Sequence, residues 1–295
     1  MDGIHVFLNA ERGLAVLQAL AAAGHGIGAL HVPRAAASKP TLAEAARAAG
    51  ASLEPVDDVN APEFVSSCRS RRVRLAVVAG FSTIFKAPLL AAPELGTINC
   101  HAGRLPQYRG GSPLNWQIIN GEAEAGISVI RLDGGIDSGD VLAEESIPIT
   151  EDDDIATLHD KANARFPELV VDVVRRFDRG DMSGRVQDES KAVYWHQRND
   201  GDGHIDWRLS ARRVHDQVRA LTTPYPGAFA ILGDRRVRIL RTALAAPQVR
   251  GVPGRIVHVQ GQGPLVVCGD RALRIVSWTF EDGGPSRLAN GERLK

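Results

Sequence analysis

Apolar and polar positions in the first third of the chain follow two alternating periods. Short β-rich runs, IHVFLN, IGALHVP and RLAVVAGF, are separated by stretches of helical spacing, RGLAVLQALAAAG, TLAEAARAAG and PEFVSSCRSRR. Strands alternating with helices predict βαβ units and a parallel sheet. The near-continuous apolar run 75–79 suits a strand covered on both faces. TINCHA follows as a further strand, and SPLNWQIINGE reads as a helix with Ser112 as N-cap and Pro113 at its first position. GISVIRL and VLAEESIPI predict two strands around the turn-rich loop DGGIDSGD. Behind the acidic EDDD, a long helix is expected from about Ile155 to Gly180.

The pattern then changes. A polar connector, QDESKAVYWHQRNDGDG, leads to one helix in SARRVHDQVRAL, and then to FAILG, RVRILRTAL, GRIVHV, PLVVCG and ALRIVSW between Gly and Pro. Short strands of this kind predict a small β-barrel or sandwich. The expected division is an α/β domain over 1–184, a connector over 185–204 and a β domain over 205–295.

Composition narrows the function. A 295-residue chain with 44% hydrophobic residues has a globular core. Lys plus Arg equals Asp plus Glu at 35 each, so no global basic field is expected to hold a polyanion. The start, MDGIHVFLNAERG, has no basic segment ahead of an apolar one, and no stretch is long enough to span a membrane; a cytoplasmic protein is expected. Cys68, Cys100 and Cys268 are far apart and give neither a disulfide framework nor metal-ligand spacing. No metal is expected, and no G-x-G-x-x-G follows the first strand.

Candidate chemistry lies in INCHAGRLPQYRGGSP. On a strand, Asn99 and His101 share a face while Cys100 points the other way, which rules out a thiol–imidazole pair. Both fall near a strand's carboxyl end, where open α/β sheets bind ligands. Asp137, in the glycine-rich loop, can reach the same place. An Asn, a His and an Asp together can hold a carbonyl oxygen, move a proton and orient an imidazole.

These residues resemble a known family. N-C-H-A-G-R-L-P-Q-Y-R-G at 99–110, followed by L-D-G-G-I-D-S-G-D at 132–140, is similar to the N-x-H-x-S-L-L-P-x-Y-R-G … D-x-G pattern of formyltransferases that use 10-formyltetrahydrofolate. PLNWQIINGEAEAGISV, TPYPGAF and PLVVCGDRALRIV most resemble the formyltransferase domain acting on UDP-4-amino-4-deoxyarabinose and its relatives on nucleotide-linked amino sugars. The resemblance implies a Rossmann-like catalytic domain with a parallel-rich sheet, followed by an OB-like β-barrel that serves as a scaffold or homo-oligomer contact.

It also implies formyl transfer to an acceptor amine. Asn99 would hold the formyl oxygen, His101 would polarise that carbonyl or accept the amine proton, and Asp137 would orient His101 or relay the proton. The pterin would lie against the loops that carry Phe81, Thr83, Ile84 and Phe85 and Asp133, Ile136 and Asp137. Tyr108 and Arg109 would face the acceptor, with Arg109 either on a phosphate or locking the loop to a carbonyl.

The expected acceptor is a nucleotide-linked amino sugar. Hydroxyornithine, a carrier-bound aminoacyl group and methionyl-tRNA are the alternatives. Gly103 and Arg104 stand where the family has Ser and Leu. FLNAERG and YRGGSPLNW replace the F-x-G-T-P-x-F and W-R-G-A-A-P-I-Q of methionyl-tRNA formyltransferases, which with the balanced charge sets tRNA further back. A non-catalytic folate-binding module is the rival from another class, and the joint presence of Asn, His and Asp argues against it.

Overall fold

The computed structural model describes residues 2–8, 11–244, 248–284 and 287–295. In chain order the elements are β1 (Asp2–Leu8), α1 (Glu11–Ala22), β2 (Ile27–Pro33), α2 (Pro40–Ala48), β3 (Ser52–Val56), α3 (Pro62–Ser70), β4 (Val73–Ala79), α4 (Ala87–Leu90), β5 (Thr97–His101), β6 (Arg109–Gly110), α5 (Pro113–Ile119), β7 (Glu124–Arg131), β8 (Val141–Pro148), α6 (Ile155–Asp178), β9 (Tyr194–Trp195), α7 (Ala211–Leu221), β10 (Ala228–Leu232), β11 (Arg235–Leu244), β12 (Ile256–Val259), β13 (Gly263–Val267) and β14 (Ala272–Phe280). Asn9 and Ala10 of the FLNAERG segment lie outside the described residues. The chain divides into two compact units: 1–110, 126–147 and 160–194 form one, and 111–125, 148–159 and 195–295 form the other.

The first unit is built on a seven-stranded sheet in the order β3-β2-β1-β4-β5-β7-β8. The pairs β1/β2, β2/β3, β1/β4 and β4/β5 are parallel, as the βαβ pattern predicts, and β7 pairs antiparallel with β5. The central strands are largely apolar because helices cover both faces of such a sheet; Val77 and Val78 on β4 and Val6 and Phe7 on β1 are all buried. One core cluster gathers Phe7, Val65, Val78, Phe85 and Leu89, with Phe81 and Leu132 packed against it.

Polar groups are also buried in this sheet. His31 on β2 lies with Nε2 2.8 Å from His5 Nδ1, and His5 Nε2 is 3.2 Å from Asp2 Oδ2. Arg71 donates to Asp2 Oδ2 at 2.5 Å and to both oxygens of Glu54 at 2.9 Å. Burial, with His5 and Arg71 close by, pulls His31 down to about 3, and burial also lowers His5.

In the second unit, α7 and the antiparallel sheet β10-β11-β14-β13-β12 form the OB-like part. β10 and β12 are its edges, and residues 292–295 run between them. Ile231 and Lys295 exchange backbone hydrogen bonds of 2.7 and 2.8 Å, Leu294 N donates to Gly254 O at 2.9 Å, and Ile256 N donates to Glu292 O at 2.8 Å. This seam closes the sheet into a barrel. Ser210 caps α7 through Oγ, which accepts from Arg213 N. Ser112 does not cap α5: its backbone is left-handed (φ 51°), and its Oγ accepts instead from Gln197 Nε2 and Arg198 N. No helix of the described residues is long and apolar enough to cross a membrane.

Candidate active site

β5 carries Asn99 and His101 with the period expected of a strand. Asn99 sits beside Val78 of β4 on one side and Ile130 of β7 on the other. It is half-buried, and its side-chain amide has no hydrogen-bond partner among the described residues. Cys100 points away and is buried, and Cys68 and Cys268 are buried free thiols pushed up by burial to about 11 and about 12.

His101 is 5% exposed. Its Nε2 lies 2.7 Å from the carbonyl oxygen of Tyr108, which can only accept, so that nitrogen carries the proton. Nδ1 then faces Asp137 Oδ2 at 3.4 Å. Gly103 stands where the family pattern has Ser, and the reason is steric: a Cβ there would lie 2.4 Å from His101 Nε2 and 2.6 Å from the Tyr108 carbonyl. Ser128 on β7 donates to Gly103 O at 3.0 Å and fixes that turn.

Asp137 reaches His101 by a detour. Because β7 runs antiparallel, its last residue, Arg131, pairs with Ile98, toward the amino end of β5. The loop after it therefore doubles back along β5. Asp137 is left-handed (φ 50°), a backbone state that Asp tolerates better than most residues. Its Oδ2 accepts from Gly110 N at 2.8 Å. Gln187, buried, donates to the carbonyls of Asp137 (2.8 Å) and Gly139 (2.7 Å) and accepts from Arg109 Nε at 3.1 Å.

Arg109 is not available to an acceptor. It is fully buried; Nη1 donates to Glu189 Oε2 (2.9 Å) and Tyr194 Oη (2.7 Å), and Nη2 donates to Glu189 Oε1 (2.5 Å). The bond to Glu189 holds its pKa above the ordinary value. Of the two expected roles, Arg109 takes the loop-locking one, and the phosphate-binding role is corrected. Tyr108 is buried as well, and its carbonyl is what the site uses.

The loop after β4 begins beside Asn99. Phe81 is half-buried and Phe85 buried, their rings edge-on to Phe7 at 5.9 and 5.0 Å. Thr83 is exposed, and Ile84 is 75% exposed. On the other loop Ile136 is 53% exposed, while Asp133 Oδ1 is engaged by Gly135 N and Ser138 Oγ. Two large apolar side chains left in water on the two loops suit a flat, partly apolar ligand such as a pterin. Asn60 holds the first loop, donating to Ile84 O at 2.9 Å and accepting from Lys86 N at 2.8 Å.

Sequence reasoning missed Gln187, Asn60 and the steric role of Gly103. Gln187 falls in the polar connector, where a lone Gln carries no pattern. The crowding at Gly103 left no mark in the sequence beyond the Ser it replaces.

An α/β sheet that sets an unpartnered amide and an imidazole on one strand, with a carboxylate brought to the imidazole by a neighbouring loop, defines a group-transfer enzyme. Formyl transferases match residues 28–174, and their C-terminal domain matches residues 199–290. A methionyl-tRNA formyltransferase of Citrifermentans bemidjiense is 38% identical over 242 residues, covering 82% of this chain and 74% of the relative. The chain belongs to the formyl transferase family, whose members are folate-dependent N-formyltransferases with a 10-formyltetrahydrofolate donor. The fold is shared with WlaRD, a sugar 3N-formyl transferase (TM-score 0.69, 17% identity, 93% of this chain and 97% of that one). It is shared too with a methionyl-tRNA formyltransferase from Clostridium thermocellum (TM-score 0.61, 18% identity, 83% and 94%).

These relatives overturn the expected acceptor. Several similar curated proteins, among them that of Geobacter sulfurreducens at 37% identity, are methionyl-tRNA formyltransferases, so tRNA should not have been set aside for a nucleotide-linked amino sugar. The fault lay in summing charge over the whole chain. Residues 199–295 hold 15 Lys and Arg against 9 Asp and Glu, while residues 1–198 hold 20 against 26. A polyanion meets the local field, not the sum.

Proposed function

We propose that this enzyme formylates the α-amino group of methionyl-tRNA. The observation that carries this reading is the 38% identity to a methionyl-tRNA formyltransferase over 74% of that relative. The basic excess in 199–295 supports it.

Bound 10-formyltetrahydrofolate would supply an activated formyl carbon, with its pterin against the loops of Phe81, Thr83, Ile84 and Phe85 and of Asp133 and Ile136. The acceptor nitrogen forms a bond to that carbon as the bond to the folate nitrogen breaks. Asn99 donates its unpartnered amide to the formyl oxygen as negative charge develops there. His101, held by the Tyr108 carbonyl, takes the amine proton at Nδ1 and passes it to the departing folate nitrogen, and Asp137 stabilises the imidazolium in between.

The test is formylation of methionyl-tRNA by purified protein with 10-formyltetrahydrofolate. Asn99→Ala should lower kcat by about 10²–10³-fold, as loss of one preorganised oxyanion donor does. His101→Ala should lower it by about 10²–10⁴-fold, as loss of a general base does. Wild-type turnover of methionyl-tRNA no better than that of free methionine would end the proposal.

A further inference from the structure

The second unit contains a cavity of about 130 Å³ lined by Ser112, Asn115, Gln197, Arg198 and Tyr225, among others. Its distinctive member is Arg198. The Nε of that half-buried guanidinium is buried without a hydrogen-bond partner, and the carboxylate whose charge reaches it, Asp202, makes no hydrogen bond or ion pair with the side chain. Burial pulls Arg198 below the ordinary arginine value. The acid on the cavity wall is already neutralised: Asp200 pairs with Arg236 at 2.8 Å and Arg238 at 2.6 Å. A half-buried cation with no acid in hydrogen-bond contact is costly, and a bound anion lowers that cost.

Aromatic rings stand beside it. Arg198 lies over Trp116 at 5.7 Å, Trp116 stacks on Trp195 at 4.8 Å, and His196 meets Trp116 edge-on at 5.1 Å. His196 is exposed, so a flat ring can reach this cluster from solvent. The Oγ of Ser112 accepts from Gln197 Nε2 and Arg198 N, which leaves its own hydroxyl proton free to donate. A guanidinium and a hydroxyl next to aromatic faces is the chemistry that takes a phosphate with an unstacked base beside it.

We infer that this cavity is a nucleotide-phosphate subsite, in which Arg198 and Ser112 hold a backbone phosphate of the acceptor's single-stranded RNA end. The inference deepens the methionyl-tRNA reading and rests on it for the identity of the acceptor, while the anion site itself stands on the cavity.

The experiment is equilibrium binding of the single-stranded RNA ACCA, carrying no aminoacyl group, to wild type, Arg198→Gln and Arg198→Lys over a range of salt. Arg198→Gln should weaken binding at least about ten-fold, as loss of a charge-assisted hydrogen bond does. It should also lower the slope of log K against log salt by about 0.7, the share of one single-strand phosphate contact. Arg198→Lys should restore the slope but only part of the affinity, since an ammonium keeps the charge and loses the planar fork.

No ACCA binding by wild type, or binding and slope unchanged in Arg198→Gln, overturns the inference. So does a loss that Lys does not rescue and that comes with a lower Tm, which marks a structural role. Binding of pentaglutamate in place of ACCA, lost in Arg198→Gln, would reassign the cavity to a carboxylate chain and overturn the RNA assignment. Formylation of methionyl-tRNA is read separately. Arg198-dependent ACCA binding without that turnover would sink the acceptor reading and keep the site; turnover with no Arg198 effect on binding would do the reverse.

Discussion

A Cβ at position 103 would stand 2.4 Å from His101 Nε2, closer than real Cβ atoms come to other heavy atoms. Gly103→Ser, which restores the family's commoner residue, should therefore break the bond between His101 and the Tyr108 carbonyl. We expect kcat to fall by about 10²-fold or more, as in loss of the general base, with the protein still folded by circular dichroism. Wild-type kcat in this variant would show that the loop yields and that His101 needs no carbonyl. At this scale the sequence was legible where the information was a period. Asn99 and His101 facing one way and Cys100 the other follows from strand alternation alone. It was illegible where the partner was backbone: nothing in the letter Tyr108 says that its carbonyl, rather than its ring, is what His101 uses.

Among the elements, the loop of Asp137 depends on residues far along the chain. Gln187 binds two of its carbonyls and Arg109 at once, so Gln187→Leu leaves three buried polar groups without partners. At roughly 1 kcal/mol or more each, the unfolding free energy should fall by about 3 kcal/mol or more, read from the urea midpoint at unchanged m-value. Activity should fall with it, because Asp137 loses its support. A midpoint equal to wild type would mean that water replaces the amide at no cost. Strands and helices were legible from period, including β7 and β8 on either side of the loop of Gly and Asp. What could not be read was exposure. Arg109 looks like a loop arginine open to an acceptor, and its burial is set by Gln187, Glu189 and Tyr194, 78 to 85 positions away. Likewise Ser112 looks like a cap by sequence, and only the left-handed turn at that residue redirects its hydroxyl.

For the molecule as a whole, buried histidines and divided charge set the response to solution conditions. His31, at about 3, His215, pulled by burial to about 4, and His5 below its ordinary value are neutral when folded and take up protons when unfolded. Their contribution is complete above about pH 6.5 and is lost as pH falls toward 4, each by up to about 1.4 kcal/mol per pH unit. His31→Gln should remove one such share from the slope of stability against pH, measured by urea unfolding between about pH 6.5 and 4; an unchanged slope would mean that His31 is already charged in the fold. Divided charge predicts that affinity for methionyl-tRNA falls at least about ten-fold from about 50 to about 200 mM salt, which about two phosphate contacts suffice to produce. A salt-independent affinity would remove the electrostatic argument for tRNA. The change of pattern near the polar connector was legible, whereas the membership of 111–125 and 148–159 in the second unit was not, nor was the acceptor, because a balanced total conceals a divided field. The barrel seam adds a constraint in time. Until residues 292–295 dock, β12 keeps an open edge and β10 keeps one beyond the stretch that Ile205 pairs at Phe229, and both are open to any passing strand. A second unit whose last residues have come undocked is an open sheet, and it is then, rather than in its finished form, that it is most exposed to pairing with another chain.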